Sequence, residues 1–118
     1  MKETIDVAAL KKELRHFVEE RDWAQFHTPK NLASALSVEA SELLELFQWL
    51  TDQDSANLPE AKHVEAVREA ADILICLVRF ADVMNIDLAA AVAEKLVLNA
   101  EKYPVEKSRG KASKYNEL

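Results

Sequence analysis

The chain has 118 residues, of which 49% are hydrophobic and 31% charged, and its formal net charge is −6. This composition excludes a disordered chain and predicts one globular domain over residues 1–118. The negative charge argues against a general nucleic-acid binder, which would present a basic face. One glycine and three prolines are too few for a fold built on hairpins, so we expect an all-α fold.

The apolar runs and the cysteine count indicate where the protein resides. The longest purely apolar runs, 73–78 and 88–93, are far shorter than the roughly 20 residues that cross a bilayer. The first ten residues lack the apolar stretch of a signal peptide. Cys76 is the only cysteine, which fits a reducing compartment. We therefore expect a cytoplasmic protein with no membrane partner.

The first half of the chain predicts two helices. One spans about 6–21, where apolar side chains recur at helical spacing. Residues 22–27 (DWAQFH) break that period and are rich in aromatic and polar side chains. The second helix has a clear start, because Thr28 suits the N-cap and Pro29 the first helical position. We expect it to continue to about Leu50.

Two more helices are expected in the second half. A polar loop at 51–59 precedes a helix over about 60–84. Asp87 is expected to cap a fourth helix that ends before Pro104. The basic tail, 104–118, is interpreted either as a solvated terminus or as a lid over phosphates. Short connections between helices of this length favour an antiparallel four-helix bundle.

The second helix carries a carboxylate on its apolar face. Glu39 shares that face with five leucines: Leu32, Leu36, Leu43, Leu46 and Leu50. Glu42 follows one turn later, beside this leucine stripe. A carboxylate on a core face costs free energy unless it is paired or bound to a cation. Glu39 therefore marks a candidate site, whereas Glu45 fits the surface or the edge of such a site.

The third helix offers a second pair of acids. Glu69 and Asp72 lie one turn apart and lead into the apolar run 73–78, which we expect to be enclosed. Packed side by side, the two helices would bring four carboxylates together: Glu39, Glu42, Glu69 and Asp72. Such oxygen ligands suit Mg²⁺, which would seat a triphosphate and lower the pKa of an attacking water. Acid pairs are also common on solvated helices, so the residues alone are equally compatible with an ordinary solvent-exposed surface.

Other polar groups have two interpretations each. Two Glu-x-x-His pairs raise a di-iron bundle as an alternative, although both fit a solvated surface better: Glu13 with His16, and Glu60 with His63. Aromatic and imidazole side chains near the second helix suit either a core or a stacked base: Trp23, Phe26, His27 and Trp49. Polar residues recur every four positions on the fourth helix and suit either water or phosphate: Lys95, Asn99 and Tyr103.

Together these segments resemble the MazG-like nucleotide pyrophosphohydrolases, and most closely their short dCTP pyrophosphatase branch. The likeness begins at Phe17 and runs through RDWAQFHTPKNLASALSVEASELLELFQWL, EAADILICLVRFADVMNIDL and EKLVLNAEKYPVEKSRGKASKYNEL. The family's E-x-x-E and E-x-x-D motifs, which hold Mg²⁺, stand here as Glu39 with Glu42 and Glu69 with Asp72. The resemblance implies an all-α MazG-like fold in a homodimer or homotetramer whose subunits complete the active site.

The resemblance also implies roles for individual residues. Base and sugar contacts would come from Trp23, Gln25, Phe26, His27 and Trp49. Lys95, Asn99 and Tyr103 would lie near the phosphates. Glu39 and Glu42 would serve catalysis, and Glu45 would orient the attacking water. The dCTP branch has tyrosine where this chain has Cys76 and histidine where it has Leu14, so we expect a wider tolerance of bases.

The expected activity is Mg²⁺-dependent conversion of a (d)NTP to (d)NMP and pyrophosphate, with Mn²⁺ able to replace Mg²⁺. Its role would be nucleotide-pool cleansing, with dCTP or a modified pyrimidine as a preferred substrate. Two alternatives stay open. A phosphoribosyl-ATP pyrophosphohydrolase would share the fold and the metal site, and a non-catalytic helical interaction module would keep the helices without the metal.

Overall fold

The computed structural model describes residues 3–118, and over these residues the chain is all-helical, without strands. The all-α prediction is confirmed. Two compact units make up the chain, one ending at Ile86 and the other running from Asp87 to Leu118. Among the described residues, no helix combines the length and the apolar character needed to cross a membrane.

Helix α1 (Val7–Glu20) begins where Asp6 accepts a hydrogen bond from the backbone N–H of Ala9, at 2.9 Å. Such an N-cap pairs one of the free backbone donors of the first turn. The helix ends before Asp22, whose φ of 55° lies in the left-handed region that aspartate tolerates. The segment that breaks the helical period contains a 3₁₀ turn at Ala24–Phe26.

Helix α2 (Pro29–Glu45) starts as predicted, with the Thr28 hydroxyl accepting from the backbone N–H of Asn31 at 3.1 Å. It ends five residues before the expected Leu50, so that boundary is wrong. After Glu45 the N–H groups of residues 46 and 47 bond carbonyls three residues back, at 3.2 and 2.9 Å. This tighter winding is a common way for a helix to finish.

The expected loop at 51–59 contains a short helix, α3 (Asp52–Ser55), which the sequence interpretation missed. The Thr51 hydroxyl caps it by accepting from the N–H of Asp54 at 3.1 Å. Helix α4 (Glu60–Val83) follows and agrees with the predicted span to within one residue.

The second unit consists of helix α5 (Leu88–Lys102), the short helix α6 (Val105–Ser108) and a 3₁₀ turn at Tyr115–Glu117. The predicted cap is confirmed, because Asp87 accepts from the backbone N–H of Ala90 at 3.1 Å. The basic tail is therefore partly helical.

In the first unit, α4 packs against both α2 and α1. The side chains with the least exposure are Val18, Leu32, Val78 and Ala81. The α2 stripe faces this core as predicted, since Leu36, Leu43 and Leu46 are half-buried.

The prediction that the apolar run 73–78 of α4 is enclosed is only partly correct. Val64 and Val67 are 41% and 55% exposed, and Ile75 within the supposedly enclosed run is 39% exposed. Before the run, Ala66 and Glu69 are covered, and within it every residue except Ile75 is covered, Val78 completely. A helix segment that is apolar all round carries no pattern to show which side a neighbour will cover.

Candidate active site

Three carboxylates from two helices meet at one point. Glu39 of α2 and Glu69 and Asp72 of α4 each offer an oxygen, and these oxygens lie within 4.8 Å of one another. Glu69 and Asp72 share a face because they are one turn apart, and α2 packs beside α4. Three of the four predicted metal ligands are thus brought together. We call Glu39, Glu69 and Asp72 the acidic cluster.

The two remaining predicted acids lie at or beyond the edge of this cluster. Glu42 is exposed, yet it is close enough that its charge raises the pKa of both Glu39 and Glu69. Glu45 is the last residue of α2 and is also exposed. Their assigned roles stay predictions.

The electrostatics of the acidic cluster fit a divalent cation. Burial raises the pKa of the Glu39 carboxyl, and the charges of Glu42 and Asp72 raise it further. Burial and then the Glu42 charge raise the pKa of Glu69. The Oε2 atoms of Glu39 and Glu69 are buried and have no hydrogen-bond partner within residues 3–118. Crowded carboxylates with unpaired oxygens are costly, and a hard cation with oxygen ligands, such as Mg²⁺ or Mn²⁺, relieves both costs.

A cavity of about 530 Å³ opens beside the acidic cluster, with Glu39 and Asp72 in its wall. Side chains from α1, α2, α4 and the segment between α1 and α2 complete the lining: Leu14, Phe17, Val18, Trp23, His27, Leu32, Ala35, Ile75, Cys76 and Arg79. The volume is that of a site for a small molecule. Carboxylates beside a mostly apolar wall suit a ligand with a charged end and a flat, weakly polar end.

Two of the five predicted base and sugar contacts line this cavity, namely Trp23 and His27. Trp23 is held edge-on against Phe17, with ring centroids 5.8 Å apart. Gln25 and Phe26 lie outside the lining, and the Gln25 amide donates to the Asp22 carbonyl at 3.0 Å.

Trp49 also lies outside the cavity lining, and its exposure of 88% is high for a tryptophan. The predicted phosphate contacts belong to the second unit, where Lys95 and Asn99 lie on α5 and Tyr103 is its C-cap. The Tyr103 ring packs edge-on against Tyr115 at 6.3 Å. The roles assigned to Trp49 and to these three residues stay predictions.

The sequence interpretation missed Arg79, whose side chain lines the cavity. Its Nε donates to Nδ1 of His27 at 3.0 Å, and one terminal nitrogen lies 3.4 Å from an Asp82 oxygen. Arg15 of α1 also donates to Asp82, at 2.6 and 2.7 Å. One feature of the sequence could have identified Arg79. It directly follows the apolar run 73–78, where one side of the helix is expected to be covered.

These contacts shift the pKa values of His27 and Asp82. Burial lowers the pKa of His27, and the Arg79 charge lowers it further, so the imidazole is neutral and accepts from Arg79. The hydrogen bond from Arg15 is the largest cause that lowers the pKa of Asp82.

The Glu-x-x-His pairs do not form a metal site among the described residues, where neither belongs to a group able to hold an ion. Nε2 of His16 instead lies 2.8 Å from an oxygen of Glu20, on a face where His16 is 74% exposed. His63 is also exposed.

Comparisons with known proteins agree with one another. The model of the MazG-like family matches residues 34–118. The dCTP pyrophosphatases 1 of Mus musculus and Homo sapiens are 44% and 42% identical over 104 residues, covering 86% of this chain and 61% of each relative. The chain thus spans about three fifths of the length of these relatives. A crystal structure of a pyrophosphatase from Archaeoglobus fulgidus matches with a TM-score of 0.79 and 38% identity, covering 88% of this chain and 97% of that one.

Proposed function

The chain belongs to the MazG-like family, and on that premise we propose that it is a nucleoside triphosphate pyrophosphohydrolase, converting a (d)NTP to (d)NMP and pyrophosphate. The observation that carries this proposal is the acidic cluster, whose oxygens converge within 4.8 Å at the wall of the 530 Å³ cavity. The names of the relatives, dCTP pyrophosphatase 1 and pyrophosphatase, describe the same class of reaction. Among substrates, dCTP and modified pyrimidine dNTPs are the first candidates.

Glu39, Glu69 and Asp72 would hold Mg²⁺, or Mn²⁺ in its place, and Glu42 would add a fourth carboxylate. When bound, the cation neutralises the triphosphate, polarises the attacked phosphorus and lowers the pKa of the attacking water. Glu45, one turn after Glu42 on α2, would orient that water. Cleavage between the α and β phosphates releases pyrophosphate.

The apolar part of the cavity would receive the base and the sugar. Trp23 offers an indole surface for stacking, worth about 1–3 kcal/mol. Gln25, Phe26 and Trp49 are proposed as further base and sugar contacts, and Lys95, Asn99 and Tyr103 as phosphate contacts. Their hydrogen-bond donors and flat rings are of the right chemical types.

We also propose that the chain assembles as a homodimer or homotetramer, with its long helices in a MazG-type four-helix bundle. Large apolar side chains are exposed in both units, among them Val67 at 55%, Leu96 at 64% and Val97 at 60%. On α5, Val92 and Leu96 lie one turn apart and are both exposed, and neighbouring exposed apolar side chains of this kind are typical of association surfaces. Trp49, 88% exposed, would then be available to a nucleotide held by another copy.

A hydrolysis screen tests the proposed function. Canonical and modified (d)NTPs, together with phosphoribosyl-ATP, are incubated with the protein and Mg²⁺, and orthophosphate is read by malachite green with and without added inorganic pyrophosphatase. We expect a signal only when pyrophosphatase is added, because pyrophosphate is the leaving group. A signal without it would indicate a phosphatase, and the absence of hydrolysis for every nucleotide would contradict the proposal.

A further inference from the structure

Arg79 lies in the wall of the nucleotide cavity without a role in the hydrolysis proposed above. We propose that Arg79, held in place by His27 and Asp82, determines specificity by donating hydrogen bonds to a base edge that presents two adjacent acceptor atoms. This inference rests on the proposed function, because it assumes that the cavity holds a nucleotide. Cytosine offers such an edge at N3 and O2, and guanine at N7 and O6.

The position of Arg79 on α4 gives the cavity two chemically different ends. Arg79 follows Asp72 by seven residues, which is two helical turns, so both lie on one face about 10 Å apart along the axis. Both side chains line the cavity, with Ile75 and Cys76 between them. When the triphosphate lies at the acidic cluster, the sugar and the base extend toward Arg79.

The hydrogen-bond donors of Arg79 are only partly used. A guanidinium has five N–H groups. Among the described residues, Nε donates to His27 at 3.0 Å and Nη1 lies 3.4 Å from Asp82, while Nη2 makes no hydrogen bond. The side chain is only 12% exposed. Nη2 therefore has N–H groups available to acceptor atoms on a bound ligand.

Asp82 does not neutralise Arg79, because Arg15 engages it more closely. The Arg15 nitrogens lie 2.6 and 2.7 Å from the two Asp82 oxygens, against 3.4 Å for Arg79. Two guanidinium groups therefore share one carboxylate, and this part of the cavity wall keeps a positive charge. A charged donor forms the stronger kind of hydrogen bond with a carbonyl or ring nitrogen.

His27 adds a further N–H donor to this wall. Its Nδ1 accepts a hydrogen bond from Arg79, so the neutral ring carries its proton on Nε2. Both side chains line the cavity. A wall that presents donors favours a base edge with two acceptors and opposes the N3–H of thymine or uracil, which is itself a donor.

The test compares kcat/KM for dCTP, dGTP, dTTP and dATP between wild type and Arg79→Met, which removes the charge and the donors but keeps an unbranched chain. We expect wild type to favour dCTP or dGTP over dTTP. In Arg79→Met that ratio should fall by about tenfold to hundredfold, mostly through KM. Arg79→Lys, which keeps the charge but lacks the planar guanidinium, should retain part of the wild-type discrimination between bases. An unchanged ratio in Arg79→Met would overturn the proposal.

Arg68→Met is the matched control, because it removes an exposed cation of the same helix from a residue outside the cavity lining. It should leave the base ratio unchanged. An equal loss of discrimination in this control would mean that the ratio follows the loss of any cation on α4 rather than a contact between Arg79 and the base, and would also overturn the proposal.

Two measurements keep the inference testable if Arg79→Met does not fold or if the wild type hydrolyses no nucleotide. With wild type, 3-deaza-dCTP or 7-deaza-dGTP, whichever matches the favoured base, should lose about tenfold or more in kcat/KM because one acceptor is gone. Calorimetric binding of dCMP or dGMP should be tighter than that of dTMP even without turnover. Equal binding of the monophosphates, together with equal use of the deaza analogue where hydrolysis occurs, would contradict the inference.

Discussion

Glu39 is placed where a leucine would stabilise the fold. It interrupts the apolar stripe of α2, and burial and neighbouring acids raise its pKa. Its Oε2 is buried and has no hydrogen-bond partner in the described part of the chain. Without a cation this arrangement is destabilising, since like charges and unpaired oxygens each cost free energy. A divalent cation bound as proposed above would offset that cost.

Glu39→Gln separates catalysis from folding. The variant should keep its helical circular dichroism while kcat for the best (d)NTP falls by at least about a hundredfold, because a metal ligand is lost. In EDTA its melting temperature should equal or exceed that of wild type, since repulsion within the acidic cluster is reduced. Glu13→Gln, on an exposed part of α1, is the matched control and should change neither property.

Two outcomes would remove Glu39 from the proposed site. Wild-type turnover in Glu39→Gln would show that the carboxylate has no catalytic function. A fall of several degrees in the metal-free melting temperature would instead favour a stabilising structural role.

At the scale of single residues, the sequence identifies candidate site residues that interrupt a hydrophobic pattern. It does not identify those whose position fits the pattern of an ordinary helix. Glu39 stood out because five leucines share its face, and Glu69 and Asp72 because they precede an apolar run. Arg79 did not, because an arginine near the end of a helix usually faces water, and only the packing of α4 brings it into the cavity wall. The 88% exposure of Trp49 depends on packing in the same way.

At the scale of elements, one ion pair ties α1 to α4. Arg15 donates two hydrogen bonds to Asp82, whose carboxylate is only 9% exposed, and Lys11 of the same helix donates to the Ile86 carbonyl at 2.7 Å. These contacts hold in register the two helices that carry Phe17 and Arg79 of the cavity wall.

Arg15→Gln should therefore lower stability in a pH-dependent way. The folded-state pKa of Asp82 is depressed, mainly by Arg15, so its contribution is present above the unfolded pKa of about 3.9 and is lost as the pH falls through the folded value. We expect a small loss of unfolding free energy at pH 7, limited because Arg15 is 55% exposed. The difference in unfolding free energy between Arg15→Gln and wild type should become smaller below about pH 4.

Thermal melts from pH 3 to 7 measure this gap. Lys12→Gln removes an exposed cation from the same helix and serves as the control. A gap that stays constant across the whole range would show that the loss comes from side-chain packing rather than from the Asp82 charge.

The boundaries of the elements were predictable wherever a cap or a proline marks them. Thr28 with Pro29 and Asp87 identified two helix starts correctly. The short helices α3 and α6 were missed, since four residues contain barely one turn and show no period. The end of α2 was misplaced because its leucine stripe continues beyond the last helical hydrogen bond.

At the scale of the whole molecule, composition predicted the fold class. A chain with one glycine cannot form many tight turns, so a fold of long helices with few connections is expected. The division into two units and the exposure of many apolar side chains were not predictable, because both depend on tertiary packing.

The proposed assembly can be checked on α5. Sedimentation of wild type should show a dimer or tetramer at micromolar concentration. Leu96→Glu, at a position 64% exposed in the single chain, should shift it toward monomer because a charge would be buried on association. Glu94→Gln, also exposed on α5, is the control. A wild type that is monomeric at every concentration would refute the assembly.

The central claim is that the acidic cluster of Glu39, Glu69 and Asp72 supports metal-dependent cleavage between the α and β phosphates. A ³¹P NMR time course of dCTP, or of the best substrate from the hydrolysis screen, tests it most directly. With Mg²⁺ the spectra should show a nucleoside monophosphate and pyrophosphate growing at equal rates. EDTA should stop the reaction, and excess Mg²⁺ or Mn²⁺ should restart it. Hydrolysis that continues in EDTA, or release of orthophosphate with a nucleoside diphosphate, would contradict the account.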